Sequence, residues 1–166
     1  RQRRVNKMAE FKTNVMRMLD KEKVPYTPHT YDHGDGAIDG ASVAAKMGQD
    51  PARVFKTLVT QGAGKSYFVF VVPVLAELDL KKAARAVGEK SIEMIHVKEL
   101  TPLTGYVRGG CSPIGMKKRF KTVLDQSAAD QAAILVSAGK IGCQVELAPG
   151  NLAGLVGAGF ADIIKE

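Results

Sequence analysis

Apolar positions change their period along this chain, and each change marks an element. Between residues 9 and 22, Phe11, Val15, Met18 and Leu19 recur at helical spacing, which predicts an amphipathic helix ending before Pro25. "YTPHTYD" (26–32) is extended, and Pro28 at its middle confines it to an edge or irregular strand. "HGDGAIDG" is a loop, and "ASVAAKMG" is a short helix closed by Gly48. "DPARVFKTLVTQ" moves from a turn into a strand, "GAGK" is a hairpin turn, and residues 66–74 form the partner strand. "DLKKAARAVGEK" is a helix with Asp79 as N-cap and Gly88 as its stop. Short strands follow near 91–95, 121–125, 132–137 and 143–147, then a helix from about Pro149 and a last strand at 160–164. With no repeat and no long linker, the pattern predicts one α/β domain with hairpins as well as crossovers, hence a mixed sheet.

One position breaks the pattern. In "RVFKTLV" (53–59) a lysine stands in the centre of what otherwise reads as a buried strand. Alternation puts Val54, Lys56 and Leu58 on one face and Phe55, Thr57 and Val59 on the other. The ammonium of Lys56 is either an edge charge that reaches water or the working part of a pocket.

Composition narrows the classes. A chain of 166 residues, 45% hydrophobic and 25% charged, has the make-up of an ordinary globular domain. No run of 18 apolar residues exists, so no membrane partner is expected. Two cysteines without a CxxC, and three histidines, argue against a disulfide framework or a structural zinc, so a reducing cytoplasm is the simplest compartment. The net charge of +7 suggests nucleic acid, but "RQRRVNK" carries four of those charges and leaves +3 for residues 8–166. "MAEFKT" from Met8 resembles a natural start, so residues 1–7 are set aside as an extension or expression remnant and 8–166 as the domain. The remaining excess permits an anionic partner without demanding one.

Candidate chemistry begins with a decoy. Gly64-Lys65-Ser66 ends a phosphate-loop motif, but the glycine required five residues before Gly64 is Val59, and β-branched and aromatic residues follow instead of a helix. It is a turn. More informative are "HTYDH" (29–33), "VFKTLV" (54–59), "LDLKKAARAVG" (78–88), "TGYVRGGCSPIGMKKR" (104–119) and "VSAGKIGCQVEL" (136–147). In this order and spacing the chain resembles the YbaK/EbsC family of aminoacyl-tRNA deacylases, relatives of the editing domain of bacterial prolyl-tRNA synthetases, from about residue 11 to residue 164.

The resemblance implies a mixed, partly barrel-like sheet surrounded by helices, and hydrolysis of the ester between a wrong amino acid and tRNA. For the branch this chain is most similar to, the implied substrate is cysteine on tRNA-Pro, with tRNA-Cys as a further candidate and prolyl-tRNA synthetase as a possible partner. Carried over, the essential lysine falls on Lys56, its threonine on Thr57 and the pocket tyrosine on Tyr31. The glycine-rich wall falls on Gly109 and Gly110, and the serine-glycine hairpin on Ser137 and Gly139. Two departures bear on pocket size: Ile38 is the nearest apolar candidate for an aromatic of some relatives, and Gln144 stands where some carry Asp.

The residues themselves include no GxSxG elbow and no HExxH, so the nucleophile is left to water or to the substrate's own thiol; the resemblance favours the thiol. Lys56 could hold the terminal adenosine or its phosphate, or polarise the ester. Backbone N–H groups around Gly109, Gly110 and Gly139 could stabilise an oxyanion, at about 3 kcal/mol for a well-placed donor. Lys117, Lys118, Arg119 and Lys121 form either a solvated face or a patch for tRNA phosphates. Cys111, inside the glycine-rich motif, is read as a buried inert thiol, and His29 and His33 as weak candidates for a base. No metal or cofactor is called for. Two alternatives stay open: a deacylase for alanine or serine that uses water, and a non-catalytic tRNA-binding module of the same fold.

Overall fold

The computed structural model describes residues 12–166. Phe11, the start of the expected first helix and the basic stretch 1–7 lie outside them. The described helix α1 (Asn14–Lys21) begins at its cap, where the Thr13 hydroxyl accepts from the Met16 N–H. Strand β1 (Thr27–Thr30) is followed by α2 (Gly40–Lys46), a 3₁₀ turn (Pro51–Arg53) and the hairpin β2 (Phe55–Gly62) and β3 (Tyr67–Pro73). Then come α3 (Leu80–Val87), β4 (Ile92–Met94), α4 (Val97–Thr104) and β5 (Lys121–Asp125). A second 3₁₀ turn (Gln126–Asp130), β6 (Ile134–Lys140), β7 (Cys143–Leu147), α5 (Pro149–Val156) and β8 (Gly159–Ala161) complete the order.

The strands form two sheets rather than the single mixed sheet that the pattern predicts. One is antiparallel, in the order β1-β7-β6, with Pro28 on its edge strand as its missing N–H requires. The other is mixed, in the order β4-β2-β3-β5-β8, with β3, β5 and β8 parallel to one another. They meet at a bridge between Val54 and Leu135. Strand β3 lies between β2 and β5 and is covered on both sides, which explains its unbroken "YFVFVV". Val69 and Val71 join Phe55 and Val59 in the larger core with α1 and the second sheet, while Phe68, Phe70 and Val72 pack with Leu58 against α3.

Local signals hold where capping chemistry decides. Asp79 accepts from the N–H groups of Lys81 and Lys82, and Gly88 ends α3 at φ 73°. The GAGK segment is the hairpin turn, closed by Gly62 N–H to the Ser66 carbonyl at 2.8 Å. The last strand is shorter than expected: β8 ends at Ala161, and Ile164 makes only an isolated bridge to Leu78. Helix α4 is not foreseen in the sequence reading, because Pro102 lies within it. Both ends compensate: the His96 N–H donates to the Glu99 carboxylate at 2.9 Å, and Gly105 closes the helix at φ 84° with its N–H on the Thr101 carbonyl.

Candidate active site

The seam between the two sheets holds a small cavity of about 110 Å³. The 3₁₀ turn aims β2 into it. Asp50 caps that turn, and Arg53 clamps it to the other sheet through Glu146 at 2.6 Å and the Ala133 carbonyl at 3.3 Å. Lys56 and Thr57 follow directly, half-buried at the cavity wall. Ser137 of β6 and Gln144 of β7, register partners across the antiparallel pair, contribute the opposite side.

The loop before α2 brings in Ile38. The Lys46 ammonium holds that loop by donating to the Asp32 carbonyl (2.7 Å), the Asp35 carboxylate (2.7 Å) and the Ala37 carbonyl (2.9 Å). This contact also holds the Asp35 carboxyl below its usual range. Ile38 in turn lies against Gly109, where a Cβ would meet its Cδ1 at 2.8 Å. Gly109 has φ +87°, a conformation natural to glycine. Its neighbour Gly110 is close-packed for a different reason: a Cβ there would lie 3.0 Å from the backbone nitrogen of Ile141.

Tyr31, Ile38, Lys56, Thr57, Gly109 and Ser137 therefore line one cavity, together with Gln144. Gly110 is buried and is not among the wall residues, and Gly139 is elsewhere, lining a groove with Lys12, Arg17, Lys117 and Lys140. The donor role expected of these glycines needs correction. The Gly110 N–H already donates to the Val107 carbonyl at 2.9 Å, and the Gly139 N–H to the Ser137 hydroxyl at 3.1 Å. The four basic candidates do not converge either: Lys117 faces the groove just named, Lys118 and Arg119 line a cavity beside Met18 and Leu155, and Lys121 opens β5.

Electrostatics single out two wall residues. Burial pulls the Lys56 pKa down, opposed in part by the Glu77 carboxylate, and among the described residues no carboxylate forms a salt bridge with it. The second is Cys111, expected from the sequence as a buried inert thiol beside Gly109 and Gly110 and found here on the cavity wall itself. Burial pushes its thiol up to about 12, so it is protonated at neutral pH. Cys111→Ser is accordingly expected to retain most activity, with some loss of stability from a buried hydroxyl; a folded but inactive variant in a deacylation assay would overturn the reading of Cys111 as inert. His29 is committed to Glu146 at 2.7 Å and is not among the wall residues. Among the described residues, no three His, Cys, Asp or Glu side chains gather as a metal site.

Two wall atoms lack partners: the Thr57 Oγ1 and the Gln144 Oε1 are buried without a hydrogen bond. Such atoms favour a ligand that supplies polar groups. The wall thus combines one desolvated cation, two unpaired oxygens and a protonated thiol around a space sized for a small acyl group.

Known proteins resemble this chain over most of its length. Residues 37–155 match the family described as the aminoacyl-tRNA editing domain. A protein of Enterococcus faecalis provisionally named the Cys-tRNA(Pro)/Cys-tRNA(Cys) deacylase EbsC is 48% identical over 157 residues, which span 95% of this chain and 96% of that protein. Among solved structures, one provisionally described as a trans-editing enzyme for prolyl-tRNA synthetase superposes with a TM-score of 0.77 at 22% identity, covering 93% of this chain and 99% of that one. Another, of a protein described as hypothetical, reaches 0.84 at 20% identity, covering 92% and 100%. At those identities the two structures speak for the fold alone.

Proposed function

Because the chain belongs to the aminoacyl-tRNA editing family, we propose that it is a deacylase that removes cysteine from mischarged tRNA-Pro. The observation that carries this reading is the cavity at the sheet seam, small, acyl-sized and edged by the desolvated Lys56. The wall offers no activated nucleophile, since its one thiol is held protonated. In the proposed step the cysteinyl sulfur attacks its own ester carbonyl. A carbon–sulfur bond forms, the ester carbon–oxygen bond breaks, and the thiol proton passes to the departing ribose oxygen. Water then opens the resulting four-membered thiolactone to free cysteine.

Lys56 lines the cavity, and its charge favours the developing negative oxygen of an ester seated beside it. The Thr57 and Gln144 oxygens are suited to the donor hydrogens of the α-ammonium. The same two atoms also favour a second reading, in which a serine hydroxyl fills the pocket and water attacks. A substrate of this kind supports a cytoplasmic setting, and we infer prolyl-tRNA synthetase as a partner that delivers mischarged tRNA-Pro. Among the described residues, no helix is long and apolar enough to cross a membrane.

The test is a deacylation panel. Cysteinyl-tRNA-Pro should be cleaved much faster than its alanyl and seryl counterparts, because a hydroxyl of similar size is a far weaker nucleophile than a thiol. Equal rates for cysteine and alanine would reject the thiol step, and a preference for serine would favour the second reading.

A further inference from the structure

The cavity at the seam is too small for the whole reacting end of the proposed substrate. Its 110 Å³ is a few water volumes at about 30 Å³ each, enough for an amino acid and far below the roughly 300–1,000 Å³ of pockets that enclose larger ligands. The nucleoside that carries the ester has to lie outside it. Lys56 lines this cavity and also a second, wider groove of about 520 Å³, and is the residue the two share. The basic groove lined by Lys12, Arg17, Lys117 and Lys140 shares no wall residue with the seam cavity.

The wider groove has the character of a nucleotide seat. Its apolar lining includes Leu58, Leu80 and Met94, and the last two are 41% and 47% exposed although large and apolar. Its acidic residues are already engaged: Glu77 pairs with Lys165 at 3.1 Å, and Asp79 caps α3. Lys56 and Lys81 are left without a salt-bridge partner among the described residues. An apolar shelf beside uncommitted cations suits a flat base joined to a phosphate.

We propose that this groove seats the terminal adenosine of the tRNA, with the base on Leu58, Leu80 and Met94 and its phosphate toward Lys81. Lys56 then stands at the junction of nucleoside and amino acid, beside the ester that joins them. The assignment rests on the editing reading, so its test is independent of catalysis. AMP is titrated into the full chain and its affinity measured by calorimetry in the parent, Met94→Glu and Lys81→Ala proteins, while the Met94 methyl resonance is followed by NMR in the parent. The expected result is a saturable shift of the Met94 methyl in the parent, with affinity about tenfold weaker in Met94→Glu, where a carboxylate replaces an apolar contact and repels the phosphate. Lys81→Ala should weaken AMP more than adenosine. No shift of Met94 in the parent at millimolar AMP, or unchanged affinity in Met94→Glu, overturns the proposal. Failure of the substrate panel with AMP still bound at Met94 would reject the cysteine reading and leave the nucleotide seat standing.

Discussion

Lys56→Met is expected to give a protein at least as stable as its parent that cleaves cysteinyl-tRNA-Pro about a hundredfold more slowly, the scale of one lost preorganised charge contact. The stability half follows from desolvation. Burial lowers the folded pKa of Lys56 from 10.5, so the unfolded chain holds that proton more tightly than the folded one. Below the lowered folded value the charge therefore opposes folding. The opposition is relieved only as pH rises through the window between that value and 10.5. Methionine has a similar shape without the charge, so the melting temperature at neutral pH should hold or rise. Arginine should rescue activity only in part, because its planar fork does not replace a compact point charge. Deacylation rates beside melting curves check both halves. A stable and fully active Lys56→Met protein would remove the lysine from the site.

Gly109→Ala is expected to lower both stability and activity, and a second substitution should separate the two. At φ +87° a side chain costs about 1–2 kcal/mol, which lowers the melting temperature by about 2–4 °C per kcal/mol for a chain of this size. The new Cβ would also lie 2.8 Å from the Ile38 Cδ1. That atom is the free end of a flexible side chain, so it yields by moving, and the space available to it includes the seam cavity. A displacement of this size in the acyl seat is expected to reduce cleavage on the order of a hundredfold. Adding Ile38→Val removes the crowded methyl. The double variant should recover activity while keeping the lowered melting temperature, because the backbone strain at residue 109 remains. Full activity in Gly109→Ala alone would mean that Ile38 does not bound the acyl group.

What could be read in the sequence was decided locally. Asp79 and Gly88 delimit α3 by capping chemistry that involves only near neighbours, and Pro28 announces an edge strand because it lacks an N–H. Lys56 was legible as an anomaly, since a charge in a β-branched run needs a reason. Helix α4 was not, because its caps at His96 and Gly105 outweigh the Pro102 that argues against it. The use of the Gly110 and Gly139 N–H groups was not legible either: a turn and a bulge claim them, and neither hydrogen bond follows from composition. The division into two sheets depends on pairings between segments far apart in the chain. So does the groove beside Lys56, which draws Leu58, Leu80 and Met94 from three separate elements. Helical spacing and strand alternation carry no information at that range.

The seam cavity is a gap between two sheets rather than a hollow within one, and this sets how the selectivity of the proposed acyl seat can be tuned. Its width is a separation between two bodies, held by the Val54–Leu135 bridge and by the reach of Arg53 to Glu146. Neither Arg53 nor Glu146 is a wall residue, yet a change in either alters how closely the walls approach. Acceptance of a larger or smaller amino acid can therefore shift through substitutions at the fastening, with every wall residue unchanged. Chains of this fold with identical pockets need not share a substrate.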